Sequence, residues 1–179
     1  MHLFALAVLL LALAAPPAVD AKGKWTTYAN ANYISSIAVQ GEYIWCASSG
    51  GVVRWDTRDM SYVQYTTPDG LPDNRVVEIA VAPDRTVWSS TNSGIVRFQS
   101  GRWETIPFPE NLFVNGGPDM AFGPDGSVWF AHNMTVARYS DGKVTEYSLD
   151  TVKPFCPAQA VTVSPDGTVW VGTCSGLVR

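Results

Sequence analysis

A lone histidine, a family of repeated asparagines and three cysteines are the residues of this 179-residue chain whose types and spacing suit chemistry. His132, in the stretch "WFAHNMT", is the only histidine beyond the first two residues. It would serve as a general acid or base only beside a carboxylate or a metal, because an isolated imidazole has nothing to fix its tautomer or pass on its proton. Asn32, Asn74 and Asn115 recur at a period near 41 residues, with Cys156 at the fourth position. Amides repeated at one loop position could bind a sugar or peptide by paired hydrogen bonds, or could each cap their own turn. Asn92 and Asn133 fall on a second set of turns on the same side, and Asn133-Met134-Thr135 is a glycosylation sequon. Cys46, Cys156 and Cys174 match no zinc spacing. Asp84, Asp125 and Asp166 supply one carboxylate per turn, short of the roughly six to eight oxygens that calcium takes. No Ser-His-Asp order, phosphate loop or H-E-x-x-H helix is present. The residues therefore favour binding over catalysis, with no metal and no cofactor expected, and leave catalysis by His132 as an alternative.

Composition narrows the partners. The chain is 46% hydrophobic and 16% charged with a net charge of −4, an ordinary globular balance. Its twelve Lys and Arg are scattered, so no basic run exists that could release counterions from a nucleic acid. Residues 1–21 are different: Leu3 to Ala15 is a continuous apolar run of thirteen, short of the roughly 20 residues a bilayer requires, and it ends in Pro16-Pro17 and Val19-Asp20-Ala21. This pattern predicts a secretory signal peptide cleaved after Ala21, and a secreted or periplasmic product with no membrane span in the mature chain. In an oxidising compartment the three cysteines would leave one unpaired.

The elements that must position these residues come from a repeat. "VAPDRTVWSSTNSGIVRF" (Val81 to Phe98) returns as "FGPDGSVWFAHNMTVARY" (Phe122 to Tyr139) and as "VSPDGTVWVGTCSGLVR" (Val163 to Arg179), after a looser copy, "VQGEYIWCASSGGVVRW" (Val39 to Trp55). Trp45, Trp88, Trp129 and Trp170 mark the copies, as do Arg54, Arg97, Arg138 and Arg179. Each period alternates short strands with Pro-Asp, Ser-Gly and Asp-Gly turns, giving strands A, B, C and D. Four antiparallel strands per 40 to 45 residues predict an all-β β-propeller of four-stranded antiparallel blades, with blades near 33–74, 75–115, 116–158 and 159–179 in a domain spanning 22–179. The repeated Trp are expected to fill the wedges between blades. The turn Asp and repeated Arg are expected to form ion pairs or turn hydrogen bonds. In such a meander the D-to-A connections and B-to-C turns share one face, and Cys156 and Cys174 meet there on the last blade as a disulfide candidate.

"GLPDNRVVEIAVAPDRTVWSSTNSGIVRF" and "PDGTVWVGTCSGLVR" resemble the two-component regulator propeller repeat, whose core runs G-L-P-x-N, D-G-x-x-W-x-G-T, G-L-x-R-F. "GPDGSVWFAHNMTVARYSDGKVTEYSL" leans toward the streptogramin-lyase (virginiamycin B lyase-like) repeat, although Trp129-Phe130-Ala131-His132 lacks the acid of that family's W-F-T-E. The first resemblance implies an extracytoplasmic, non-catalytic sensor module for a small-molecule, glycan or protein ligand. The second implies a lyase using His132, and a structural or protein-docking propeller is a third possibility. Gly23-Lys24-Trp25-Thr26-Thr27-Tyr28 aligns with the D strands, so residues 22–28 are expected either to close the last blade of a four-bladed ring or to belong to a larger propeller.

Overall fold

The computed structural model of the chain describes residues 33–108, 118–149 and 156–179. The expected leader 1–21, the D strand 22–28, Asn32 and Asn115 lie outside the described residues. Among the described residues fifteen strands and one 3-10 turn (Thr67–Asp69) follow one another. Blade 1 is β1 (Ile34–Gln40), β2 (Tyr43–Ser48), β3 (Gly51–Asp56) and β4 (Tyr62–Tyr65). Blade 2 is β5 (Val76–Val81), β6 (Val87–Thr91), β7 (Gly94–Gln99) and β8 (Arg102–Ile106). Blade 3 is β9 (Asp119–Phe122), β10 (Val128–His132), β11 (Thr135–Ser140) and β12 (Lys143–Ser148). Blade 4 is β13 (Ala158–Val163), β14 (Val169–Thr173) and β15 (Gly176–Val178) among the described residues. Each sheet pairs its strands in sequence order, antiparallel throughout, so the molecule is a four-bladed β-propeller of meander blades.

Two turn devices, repeated from blade to blade, set this register. In the A-to-B turns the carboxylates of Asp84, Asp125 and Asp166 accept the backbone N–H of Thr86, Ser127 and Thr168 at 2.8, 3.0 and 3.0 Å, and Arg138 adds an ion pair to Asp125 at 2.7 Å. The next residue turns left-handed, with Gly126 at φ 80° and Gly167 at φ 84°. Arg85 adopts the same conformation at φ 71°, where a side chain costs about 1 kcal/mol. In the B-to-C turns the hydroxyls of Ser48, Thr91 and Thr173 donate to the carbonyls of Gly51, Gly94 and Gly176 at 2.8, 2.9 and 2.9 Å.

Packing follows the alternation. Each pair of successive sheets seals face to face, giving three apolar seams among the described residues. The first gathers Trp45, Ala47 and Val52 of blade 1 with Ile79, Val87, Val96 and Trp103 of blade 2. The second joins Trp88 and Ile95 to Met120, Val128 and Phe130. The third joins Ala131 and Val136 to Ala158, Val161 and Val171. Trp45 and Trp88 are buried in these wedges and Trp129 packs against the third. Cys46 is a free, buried thiol, and burial raises its pKa.

Candidate functional site

The inner strands converge on a cavity of about 350 Å3 lined by Ser35, Ser36, Val77, Glu78, Pro118, Asp119 and Gln159. Every blade contributes, and the lining comes from only two repeat positions. Ser35, Val77, Pro118 and Gln159 occupy one; Ser36, Glu78 and Asp119 occupy the next, where blade 4 has Ala160. The register slips between Ile34 and Ser36, between Val76 and Glu78, and between Ala158 and Ala160, leaving Ser35, Val77 and Gln159 as the extra residues of β-bulges. A bulge breaks the strict alternation and re-aims the side chains beside it, which brings two successive residues toward the channel.

The polar groups of this lining also clasp the blades together. Glu78 accepts the Met120 N–H at 2.9 Å, and one repeat later Asp119 accepts the Val161 N–H at 2.7 Å. Blade 1 carries serines instead, and reverses the polarity: Ser35 Oγ donates to the Val76 carbonyl at 2.9 Å and Ser36 Oγ to the Ile79 carbonyl at 3.3 Å. Burial pushes the Glu78 pKa up to about 8, helped by the charge of Asp119 and by a hydrogen bond between the two carboxyl groups, and opposed by the bond from Met120. Glu78 is therefore mostly protonated at neutral pH.

The consequence is a cavity of one hydrogen-bonding sign. The Met120 and Val161 N–H groups and both serine protons are already committed, and among the described residues no Lys or Arg lines the space. What remains toward the channel is chiefly lone pairs and carboxylate charge, with the Gln159 amide as the exception. A second, mostly apolar cleft of about 250 Å3 lies between blades 2 and 3 at the Pro83 and Pro124 turns. It draws on two blades and holds no comparable polar set.

The residues singled out by sequence are placed otherwise. Asn74 Oδ1 accepts the Thr67 N–H at 2.8 Å, closing the 3-10 turn, so its amide serves the loop. Asn92 lies in the β6–β7 turn, its N–H bonded to the Arg75 carbonyl at 3.2 Å. His132 ends β10 opposite Thr135, at the repeat position that Ser48, Thr91 and Thr173 fill in the other blades. Blade 3 has Thr135 where its sisters have Gly51, Gly94 and Gly176, and its turn instead places Asn133 at φ 51°. The Asn133 carbonyl accepts the Ala158 N–H. His132 thus sits where the repeat keeps a turn-closing side chain. Cys156 and Cys174 form a disulfide across 5.5 Å between Cα atoms. Among the described residues no group of three or more His, Cys, Asp or Glu is arranged to hold a metal, and no helix is long and apolar enough to cross a membrane.

Glu78, Asp119 and the serines of β1 were missed, though a signal existed. The alignment that stacks Asn32, Asn74 and Asn115 also stacks Ser36, Glu78 and Asp119 four residues later. Polar residues repeated on an innermost, otherwise apolar strand mark the channel.

Comparison with known proteins gives the same architecture. No protein-family model matches the chain, and no curated protein matches it. Among solved structures, the extracellular domain of BT4673 from B. thetaiotaomicron, described as a one-component system, superposes with a TM-score of 0.68 at 20% identity over 80% of this chain and 20% of its own. Virginiamycin B lyase from Staphylococcus aureus superposes with a TM-score of 0.62 at 22% identity, over 81% of this chain and 54% of the lyase. The WD40 propeller domain of Doa1 superposes at 0.64 with 18% identity, over 82% of this chain and 49% of its own. The chain thus spans one-fifth to about half of the lengths of these proteins. Its structural neighbours include both groups that the repeat motifs resemble, and at these identities the likeness establishes the β-propeller fold.

Proposed function

We propose that the chain is an exported, non-catalytic propeller module that binds a small donor-rich, positively charged ligand, such as an amine or amino sugar, in the channel between its inner strands. The observation that carries this is the lining of the 350 Å3 cavity, where Ser35, Ser36, Glu78 and Asp119 offer acceptors from three blades while their own donors are used up between blades. A cation entering there meets lone pairs and the Asp119 charge with no basic residue among the described lining to oppose it, and the volume suits a small molecule. The sensor-like repeat motifs, the extracellular character of the BT4673 domain and the apolar leader support export; a product beginning at Lys22 would establish it.

The test is thermal unfolding of the purified protein with putrescine, glucosamine or glucose. Ligands that bind only the native state raise the Tm in proportion to ln(1 + [L]/Kd). Putrescine and glucosamine are expected to raise it and glucose to leave it unchanged, and Asp119→Asn should reduce the shift at least several-fold in a protein with native circular dichroism. A shift with glucose alone, or with none of the three, would overturn this function.

A further inference from the structure

Each blade carries a Trp on its second strand, and in three blades the indole N–H is used within the same blade. Trp45 Nε1 donates to Gln40 Oε1 at 3.1 Å, Trp129 Nε1 to Ser127 Oγ at 3.0 Å and Trp170 Nε1 to Ser164 Oγ at 2.8 Å. Trp88 is the exception. It is only 4% exposed and packs against Tyr139 and Phe130 with ring centroids 5.4 and 6.3 Å apart, yet its Nε1 finds no hydrogen-bond partner among the described residues. The unpaired Nε1 of Trp103 is sealed in the core, whereas that of Trp88 is not. Trp88 lines the cleft of about 250 Å3 between blades 2 and 3, so its N–H is reached from there.

The repeat shows why this donor is left over. Blade 4 has its acceptor at Ser164 and blade 1 at Gln40, where blade 2 has Ala82; blade 3 has its acceptor at Ser127, where blade 2 has Thr86. It also shows why the cleft stays open. At the seam between blades 1 and 2, Gln40 Nε2 reaches across to the Arg85 carbonyl at 2.5 Å, and the Arg85 guanidinium lies 3.1 Å from where a Cβ on Gly41 would stand. At the next seam the same two positions are Ala82 and Gly126, neither with a side chain long enough to bridge.

We propose that this cleft is a second binding site, for a small neutral ring compound with an acceptor oxygen, such as a fused bicyclic carbonyl compound, whose oxygen takes the Trp88 N–H. An apolar cavity of about 150 Å3 holds benzene, so 250 Å3 suits two fused rings. The walls are Pro83, Phe122, Pro124 and Val128, against which the rings extend the aromatic stack of the second seam. A buried donor without a partner selects for an acceptor, because a ligand lacking one leaves the N–H both unpaired and cut off from water. The Asp84 carboxylate in the lining turns anions away. None of these residues belongs to the acceptor-lined channel, so the two sites take ligands of different chemistry.

Proton–nitrogen correlation NMR of the purified protein reads the indole N–H signals directly, with that of Trp88 assigned by Trp88→Phe. Coumarin is expected to move the Trp88 signal downfield and to saturate it with a Kd below about 1 mM. The signals of Trp45, Trp129 and Trp170, already bonded within their blades, should move little. Ala82→Ser sets a hydroxyl where Ser164 holds Trp170, and Thr86→Ser sets one where Ser127 holds Trp129. Each gives Trp88 an internal acceptor and should raise the Kd for coumarin roughly ten-fold in a protein that keeps the parent's spectrum. 2-Naphthoate, similar in size but anionic, should bind more weakly than coumarin, and Asp119→Asn should leave coumarin binding unchanged, which separates this cleft from the channel. A Trp88 signal that does not saturate, unchanged coumarin affinity in the serine variants, naphthoate binding as tight as that of coumarin, or coumarin binding lost in Asp119→Asn overturns the proposal.

Discussion

The seam between blades 1 and 2 and the seam between blades 3 and 4 occupy the same positions of one repeat, yet they are held by different chemistry. The first is aromatic. Trp45 meets Phe98, Trp103 and Tyr65 with ring centroids 5.0, 5.9 and 6.1 Å apart, and Arg54 lies over Tyr43, Trp45 and Tyr65. Its inner edge is closed by neutral serine hydroxyls. The last seam is aliphatic, built from Ala131, Val136, Ala158, Val161 and Val171, with the Asp119 carboxylate on its inner edge and the Cys156–Cys174 bridge tying the start of β13 to the β14–β15 turn. Large rings bring enough buried area to stabilise a wedge by packing alone, whereas small side chains leave more to cross-links and charge-assisted hydrogen bonds. The middle seam combines both, with Trp88 and Phe130 packed beneath the Glu78 clasp.

The contrast is breakable, and its largest expected effect is at Trp45. Trp45→Ala should lower the unfolding free energy by about 3–5 kcal/mol, because it removes the ring around which the first seam is organised and leaves a cavity that Phe98 and Trp103 cannot fill. Urea denaturation measures it, and a loss below about 1 kcal/mol would mean that the aromatic seam does not dominate. Next comes the bridge. Replacing Cys156 and Cys174 by Ser should cost about 3 kcal/mol by the loop-closure argument for a separation of 18 residues, with hydrogen exchange rising first in β13–β15 and last in β5–β8. Uniform acceleration across all blades would contradict the division into seams.

The smallest effect sharpens the middle seam. Glu78 has a folded pKa near 8 against an ordinary value near 4.5, so the native state holds more protons than the unfolded chain between those values. Its contribution to stability is complete below about pH 4.5 and is lost as pH rises through 8. Glu78→Gln keeps an acceptor for the Met120 N–H and cannot ionise. The variant should therefore show a flatter fall in Tm between pH 5 and 9 than the parent, and parallel curves would remove Glu78 as the titrating group.

Much of this molecule was legible in its sequence because a propeller blade is specified locally. Pro-Asp turns, a Trp on each second strand and a Ser or Thr before three of the four B-to-C turns all act within one 41-residue period, and repetition averages away the ambiguity of any one copy. The wedge position of Trp45 and Trp88 followed from the same logic. The channel was harder. Asn74 and His132 drew attention as residues capable of chemistry, but a side chain's chemistry says nothing about whether its own turn has already claimed it, as Thr67 claims Asn74. Ser36 and Glu78 look unremarkable in a strand until the bulges beside them turn them inward, and Asp119 until its place at the start of its strand brings it to the channel.

The sequence by itself determined the strand order, the blade period and the alternation that assigns each apolar residue to the blade before or after it, because those properties depend on neighbours within a few residues. Only the tertiary structure decided which polar groups meet across blades. Glu78 and Met120 lie 42 residues apart, as do Asp119 and Val161, and their contact depends on how far one blade is rotated from the next. That rotation is set by the bulk packed into each seam, and with it come the nearness of the Glu78 and Asp119 carboxyl groups and the acceptor-lined channel they create.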